Sequence, residues 1–300
     1  MTTANAIQQA LDQLYRTHVG PGDPYALVDF PDHANVGDSA IWLGEIAMLR
    51  GVTGREPAYV STWHDFDAEA FRRACPTGTL FLHGGGNLGD IWPHHQQFRE
   101  HILATVHDRA VVQLPQSIHF RNPDGVARFA GLAIEHPDFT LYVRDRPSLD
   151  FANAHLSCPT HLAPDSAFAL GHQPRAPADC DVLMLLRTDD ERRDHATIPS
   201  AGNTMVDWLE DDPDLPRAFT SQAKARVDRG LRLLSRGRVI VTDRLHGHIL
   251  ADLLGIPHVV LDNDYGKIAA YLAAWAGSER VPAIRATTMA EAERAAAQLA

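Results

Sequence analysis

Short runs of apolar and β-branched residues alternate with helical patterns along almost the whole chain. This alternation restricts the possible folds more than any other feature of the sequence. The run 182–186 has no polar side chain, so a strand there must be covered on both faces. Parallel strands joined by helices meet that requirement. The pattern therefore predicts an α/β fold of Rossmann-like parallel sheets, with strands at 25–30, 58–62, 79–83, 110–114, 139–144, 180–186, 238–242 and 258–262.

A stretch rich in proline and alanine, residues 172–178, interrupts this alternation. About six strand–helix units precede it and three or four follow, which predicts two domains, residues 1–172 and 179–300, facing a cleft. A long loop inside one large sheet would have the same composition, so that alternative stays open.

The charge balance limits the kinds of partner. The chain has 27 basic and 38 acidic residues, a formal net charge of −11, so it has no global basic field that would attract nucleic acid. An anionic small molecule would have to bind where a few cations are concentrated. The three cysteines are far apart and form no CxxC pair, which argues against disulfides and structural zinc and fits a reducing cytoplasm.

No apolar run reaches the roughly 18 residues of a membrane span. We therefore expect a cytoplasmic protein with at most peripheral contact with the inner face of the plasma membrane. The oligomeric state does not follow from the sequence.

Polar or glycine-rich residues follow nearly every predicted strand. Ligands of open α/β sheets bind beyond the carboxyl ends of the strands, so these residues are candidates for a site. Glycine allows close backbone approach, and amide and carboxylate groups suit sugar hydroxyls. A tight turn would equally explain the glycines, and a helix cap would explain Asp38. The acceptor-side candidates are Asn35, Asp38, Gly85, Gly86, Asn87, Asp90 and Gln116.

The segment Asp243-Arg244-Leu245-His246-Gly247 gives a sharper prediction. It joins a buried strand to the helical pattern at 248–254, and the free N–H groups of a helix start favour an anion. Arg244 adds a bidentate donor for phosphate or carboxylate. His246 can transfer a proton near neutral pH. The alternative is an Arg244 paired with Asp243 and a His246 that only caps the helix.

Histidine and serine patterns argue against two other chemistries. His246 and His248 are two residues apart, and His94 and His95 are adjacent, so neither pair has the spacing of helical metal ligands. No Gly-x-Ser-x-Gly segment indicates a hydrolase nucleophile. We therefore predict no metal site and no required cofactor; a divalent ion is not indicated.

Several motifs together resemble the polysaccharide pyruvyltransferase family. They are Asn35-Val36-Gly37-Asp38, Leu82-His83-Gly84-Gly85-Gly86-Asn87, Val143-Arg144-Asp145, Asp243-Arg244-Leu245-His246-Gly247 with Leu254-Gly255-Ile256-Pro257, and Asp264-Tyr265-Gly266-Lys267. They occur in the family's order over about residues 25 to 270.

The resemblance implies a GT-B-like fold of two domains, with phosphoenolpyruvate as the donor on the C-terminal side. It implies a sugar or lipid-linked oligosaccharide as the acceptor on the N-terminal side, and a pyruvate ketal and phosphate as products. His246 and Arg244 are then the catalytic candidates. Arg187 is added from its strand-end position alone. The donor-binding candidates are Arg144, Arg187, Arg244, Leu245, His246, Gly247 and Lys267.

Two other functions stay open. A GT-B nucleotide-sugar glycosyltransferase would share the fold and the anion-binding turn, and a non-catalytic sugar- or anion-binding protein would use the same cations without turnover. Release of phosphate from phosphoenolpyruvate together with a mass gain on a glycan would separate the three.

Overall fold

The structure, a computed structural model, describes residues 4–188, 204–262, 266–275, 277 and 280–300. They form two compact units. The N-terminal unit comprises Ile7–Asp32 and Ile41–Ala169. The C-terminal unit comprises the described residues of Met1–Ala6, His33–Ala40 and Leu170–Ala300. Residues 33–40 therefore belong to the C-terminal unit although they lie early in the chain.

The N-terminal unit is built on a seven-stranded parallel sheet of order β2-β1-β3-β5-β6-β7, with β4 paired to β5. Its strands are β1 Tyr25–Val28, β2 Tyr59–Ser61, β3 Thr79–Leu82, β4 Gly85–Gly89, β5 Val111–His119, β6 Phe139–Val143 and β7 Thr160–Leu162. The helices in this part of the chain are α1 Ala4–His18, α2 Val36–Thr53, α3 Ala68–Ala74, α4 Pro93–Thr105, α5 Pro123–Glu135 and α6 Arg146–His155, followed by a 3-10 turn, Ser166–Leu170.

Burial of the central strands accounts for their sequence. Every residue of β1 and β3 is buried, so these strands carry apolar residues on both faces. Phe71, Phe98 and Phe129 pack in one core with residues of these strands. Burial of each phenylalanine side chain stabilises the fold by about 2 to 3 kcal/mol. This core holds the carboxyl ends of β1 and β3 in fixed positions.

The C-terminal unit contains a five-stranded parallel sheet of order β12-β11-β10-β8-β9. Its strands are β8 Cys180–Leu185, β9 Thr204–Val206, β10 Gly237–Thr242, β11 His258–Leu261 and β12 Ile284–Ala286, and its helices are α7 Phe219–Ser235, α8 Leu245–Leu253, α9 Lys267–Ala274 and α10 Met289–Leu299. Ala292 and Ala296 of α10 pack in one core with Met184, Val239 and Val241.

The two sheets share one strand order. In each, the first strand of the unit lies between the second and the third: β2-β1-β3 in one and β9-β8-β10 in the other. The crevice for a ligand in such a doubly wound sheet opens where the connections diverge, at the carboxyl ends of the first and third strands. The topology therefore predicts a ligand crevice at the carboxyl ends of β1 and β3, and a second one at the carboxyl ends of β8 and β10.

The prediction of an α/β fold with parallel sheets is confirmed, and each of the eight predicted strands overlaps an observed one. The structure decides one alternative that the sequence left open. Gly85 and Gly86 do not form a tight turn but begin strand β4, which pairs with β5. None of the described helices combines the length and the apolar character needed to cross a membrane.

Candidate functional site

The turn between β10 and α8 has the predicted geometry. Arg244 precedes the first helical residue, Leu245, with extended backbone angles, and its N–H donates to Thr242 Oγ1 at 3.1 Å. A Cβ atom on Gly247 would lie 2.3 Å from the same oxygen, so only glycine lets the helix approach the strand this closely. The first N–H groups of α8 have no acceptor within the helix and can receive an anion.

The Arg244 side chain is held by a carboxylate. Its Nε and Nη2 donate to the two oxygens of Asp207, each at 2.8 Å, and Arg244 is only 3% exposed. The guanidinium carbon also lies 6.0 Å from the centroid of the Trp208 ring, within reach of a cation–π attraction. Asp207 and Trp208 directly follow β9. The guanidinium is thus fixed in orientation and not a mobile surface cation.

Asp243 and Arg187 meet at the crevice of this sheet. The Arg187 N–H, at the end of β8, donates to Asp243 Oδ1 at 2.8 Å. Burial raises the pKa of the Asp243 carboxyl to about 6, against the opposing effects of the Arg187 hydrogen bond and the charges of Arg244 and Arg187. The structure therefore brings Arg187, Asp243 and Arg244 together, and the pKa of the Asp243 carboxyl lies near 6.

His246 packs against the early motif Asn35-Val36-Gly37-Asp38. A Cβ atom on Gly37 would lie 2.4 Å from His246 Nδ1. Asn35 Oδ1 accepts the Gly37 N–H at 3.1 Å, and Asn35 Nδ2 donates to Asp38 at 2.8 Å. Asn35 and Asp38, predicted on the acceptor side, thus belong to the unit that carries His246. Their binding of an acceptor stays a prediction.

Arg144 lies in the other unit, at the carboxyl end of β6. It is buried, its Nη1 donates to Asp165 Oδ2 at 2.7 Å, and its Nε donates to Ser117 Oγ at 2.9 Å. Ser117 in turn donates to Asp145 at 2.6 Å. Arg144 is therefore a preorganised cation with a carboxylate beside it. Its contact with the donor stays a prediction.

Asn87 and Gln116 bond to each other. Asn87 Oδ1 accepts from Gln116 Nε2 at 2.8 Å and from Arg99 at 2.9 Å, while the Asn87 N–H donates to Gln116 Oε1 at 3.0 Å. Asp90 accepts the N–H groups of Arg121 and Asn122. These hydrogen bonds hold β4 and the loop before α5 in place, a structural role that the sequence did not predict. Their role as acceptor ligands is untested.

Lys267 is the first residue of α9, after Gly266 with a left-handed φ of 67°. Its side chain lies outside the described residues, so its part in donor binding stays a prediction.

Two histidine–carboxylate pairs in the N-terminal unit, one buried and one partly buried, had not been predicted. His83 Nδ1 lies 2.7 Å from Glu45 Oε2, and burial raises the pKa of Glu45 while His83 opposes the shift. His95 Nδ1 lies 2.8 Å from Asp29 Oδ1. The sequence signal that could have indicated these pairs was a carboxylate inside an otherwise apolar helix or at the end of an apolar strand.

Comparison with known proteins places the chain in context. It matches the family model described as Polysaccharide pyruvyl transferase over residues 35–265. It is 34% identical over 277 residues to Pyruvyl transferase 1 of Schizosaccharomyces pombe, covering 83% of this chain and 69% of that protein. It is 32% identical over 285 residues to the Bacillus subtilis protein named "Putative pyruvyl transferase EpsO", covering 86% of each.

The fold has a match among solved structures. A functionally uncharacterised protein of Klebsiella pneumoniae superposes with a TM-score of 0.61 at 20% identity, covering 93% of this chain and 99% of that one.

Proposed function

We propose, because the chain belongs to the polysaccharide pyruvyl transferase family, that this enzyme transfers the enolpyruvyl group of phosphoenolpyruvate to a sugar. Two hydroxyls of one terminal sugar in an exopolysaccharide or cell-surface glycan precursor would become a pyruvate ketal, with release of phosphate. Membership of the family makes the chain a pyruvyl transferase acting on polysaccharide; the donor, the ketal and the precursor are our proposal.

The observation that carries the proposal is the turn at β10 and α8. Phosphoenolpyruvate bears a phosphate and a carboxylate, and this turn combines the N-terminus of helix α8 with a buried, oriented Arg244. Arg187 stands at the end of the neighbouring strand β8. The cluster concentrates two arginines in a chain whose net charge is −11. We assign the donor to the C-terminal unit on this basis.

His246 supplies the acid in the proposed mechanism. A proton passes from His246 to the methylene carbon of phosphoenolpyruvate, and the first sugar hydroxyl attacks the adjacent carbon. The bond from that carbon to the phosphate oxygen then breaks, and the second hydroxyl closes the ketal. Arg244 and the N–H groups of α8 stabilise the departing phosphate.

The protons balance in this scheme. The two sugar hydroxyls release two protons; one ends in the new methyl group and the other leaves with hydrogen phosphate. No oxidant, metal or cofactor is needed for the sum, in line with the predicted cofactor independence. That the two units face a cleft, as in GT-B glycosyltransferases, stays a prediction.

The direct test incubates the protein with phosphoenolpyruvate and a panel of p-nitrophenyl glycosides of glucose, galactose and mannose. We expect phosphate release together with a mass gain of one pyruvic acid less one water on an active glycoside. His246→Ala and Arg244→Ala should both lose phosphate release. Phosphate release from a sugar nucleotide alone, after phosphatase coupling, would favour a glycosyltransferase instead.

Arg238→Ala is the matched control for Arg244→Ala. Arg238 lies on the same strand, β10, and its exposed side chain makes only a surface ion pair of 3.5 Å with Asp181, which contributes little. Normal phosphate release by His246→Ala would contradict its role as the acid.

A further inference from the structure

His95 and Asp29 form a histidine–carboxylate pair, here called the dyad, that is arranged like the pair in a general base. The Asp29 side chain is 2% exposed and the His95 side chain 15%, so the carboxylate is buried while the imidazole reaches solvent. Asp29 Oδ1 accepts a hydrogen bond from His95 Nδ1–H, with the two atoms 2.8 Å apart. That tautomer leaves a lone pair on Nε2, and among the described residues no group bonds to it. The dyad is therefore built to accept a proton on its outward nitrogen.

A buried cation, Arg99, interacts electrostatically with Asp29. Burial lowers the pKa of Arg99 to about 10, and the negative charges of Asp29 and Glu100 oppose that shift. Arg99 is 1% exposed and bonds to neutral oxygens of Gln113, Gln96 and Asn87. Since its hydrogen-bond partners carry no charge, the nearby carboxylates of Asp29 and Glu100 balance part of its charge.

The backbone places the dyad at the ligand crevice of its sheet. Asp29 follows β1 directly, and the topology selects the carboxyl ends of β1 and β3. Asp29 is the only non-glycine residue with positive φ in the described chain, at 70°. Such a conformation costs of the order of 1 kcal/mol and persists where a side chain must be aimed. His95 comes from the first turn of α4.

An aromatic surface adjoins the dyad. The Trp63 ring stacks on His94, the residue next to His95, with centroids 4.8 Å apart and planes at 13°. Trp63 follows β2 and is 39% exposed. Its loop is fixed because Asp65 accepts from the Thr62 N–H at 2.7 Å and from the Thr62 hydroxyl at 2.6 Å. The exposed part of the indole offers a flat apolar face to the C–H face of a pyranose ring.

We propose that the acceptor sugar stacks on Trp63 and that His95, oriented by Asp29, removes the proton of the attacking hydroxyl. This deepens the proposed function and rests on it. Nε2 takes the hydroxyl proton as the sugar oxygen bonds to the central carbon of the enolpyruvyl group, and Asp29 stabilises the imidazolium. The imidazolium passes the proton to water before the second hydroxyl closes the ketal. The two carboxylates among the predicted acceptor-side residues accept hydrogen bonds from the protein's own groups: Asp38 from Asn35 Nδ2, and Asp90 from the N–H groups of Arg121 and Asn122.

Steady-state kinetics of His95→Gln and Asp29→Asn test the base. With the glycoside that the wild type pyruvylates best, we expect kcat to fall about 10²- to 10⁴-fold, with the KM for phosphoenolpyruvate unchanged. His101→Gln, an exposed histidine on the same helix, is the matched control and should keep wild-type rates.

The stacking surface has a readout that does not depend on turnover. Saturation-transfer NMR with the same p-nitrophenyl glycosides should show binding to the wild type, none to Trp63→Ala, and partial binding to Trp63→Phe. Equal binding to the wild type and Trp63→Ala, or binding to neither, would overturn the sugar site. Unchanged kcat in His95→Gln would overturn the base while the proposed function stands. Glycoside binding that depends on Trp63 without any phosphate release would keep the sugar site and refute the donor.

Discussion

Replacing Gly37 with alanine tests whether the position of His246 sets the rate. The new Cβ atom would lie 2.4, 2.6 and 2.8 Å from Nδ1, Cγ and Cβ of His246, whereas ordinary contacts begin near 3.4 Å. The imidazole must therefore retreat by about 1 Å. Because the short contacts include His246 Cβ, rotation of the ring alone cannot relieve the overlap.

The size of the effect follows from this displacement. A misplacement of about 1 Å at a reacting group can lower a rate about 10²-fold, and forcing one methyl group into a packed site costs about 1 to 3 kcal/mol of stability. We expect kcat for phosphate release to fall about 100-fold while the protein remains folded. Phosphate release measures the rate, and urea unfolding followed by circular dichroism measures the stability.

Gly51→Ala is the control on the same helix, α2. A Cβ atom there meets nothing within 4 Å, and alanine in an exposed helical position stabilises by about 1 kcal/mol relative to glycine. We expect wild-type kcat and a slightly raised free energy of unfolding. A folded Gly37→Ala enzyme with nearly wild-type kcat would refute the idea that the Gly37 contact positions a catalytic His246.

Three further predictions concern stability. Because folding raises the pKa of Asp243 from about 3.8 to about 6, its ionisation disfavours the folded state as pH rises through that window. Asp243→Asn should therefore raise the free energy of unfolding at pH 7 by on the order of 3 kcal/mol and leave it unchanged below pH 4; a pH-independent effect would contradict this. Burial lowers the pKa of both His248 and His258, whose Nδ1 and Nε2 atoms lie 2.8 Å apart. The unfolded state thus binds more protons, so stability should fall as pH drops below about 6.5, and less steeply in a variant with both replaced by glutamine, measured by urea unfolding at pH 5 to 7. Asp207→Ala leaves the buried Arg244 without its bidentate carboxylate and should cost about 3 to 5 kcal/mol, with urea unfolding at pH 7 as the measurement.

The parts of the fold that the sequence could predict are those that burial imposes locally. Strands such as β8 and β10 must be apolar because both faces are covered, so their sequence shows them directly. Strand β4 has three glycines among its five residues and no apolar alternation, and β9 has only three residues. Such strands form because neighbouring strands offer hydrogen-bond partners, which is information that a local pattern does not contain.

The candidate site likewise has parts that the sequence could predict and parts that it could not. The turn at Arg244 could be predicted because a strand end, a helix start and an anion-binding side chain are consecutive in the chain. Its partner Asp207 lies 37 residues earlier, after β9, and the pairing of β9 with β8 decides that it arrives there. His95 and Asp29 are 66 residues apart and meet only because α4 begins beside the end of β1. Long-range pairing of this kind depends on the tertiary fold.

The common strand order of the two sheets explains physically why these distant residues come together. Each sheet's connections leave its first and third strands towards opposite sides, so the carboxyl ends of those two strands are not covered by a connecting helix. A polar side chain there keeps access to a ligand while the strand behind it is fixed by the core. In the N-terminal unit this position carries Asp29 with His95, and in the C-terminal unit it carries Asp243 with Arg187. One topology thus places a histidine–carboxylate pair at this position in one unit and an arginine–carboxylate cluster in the other.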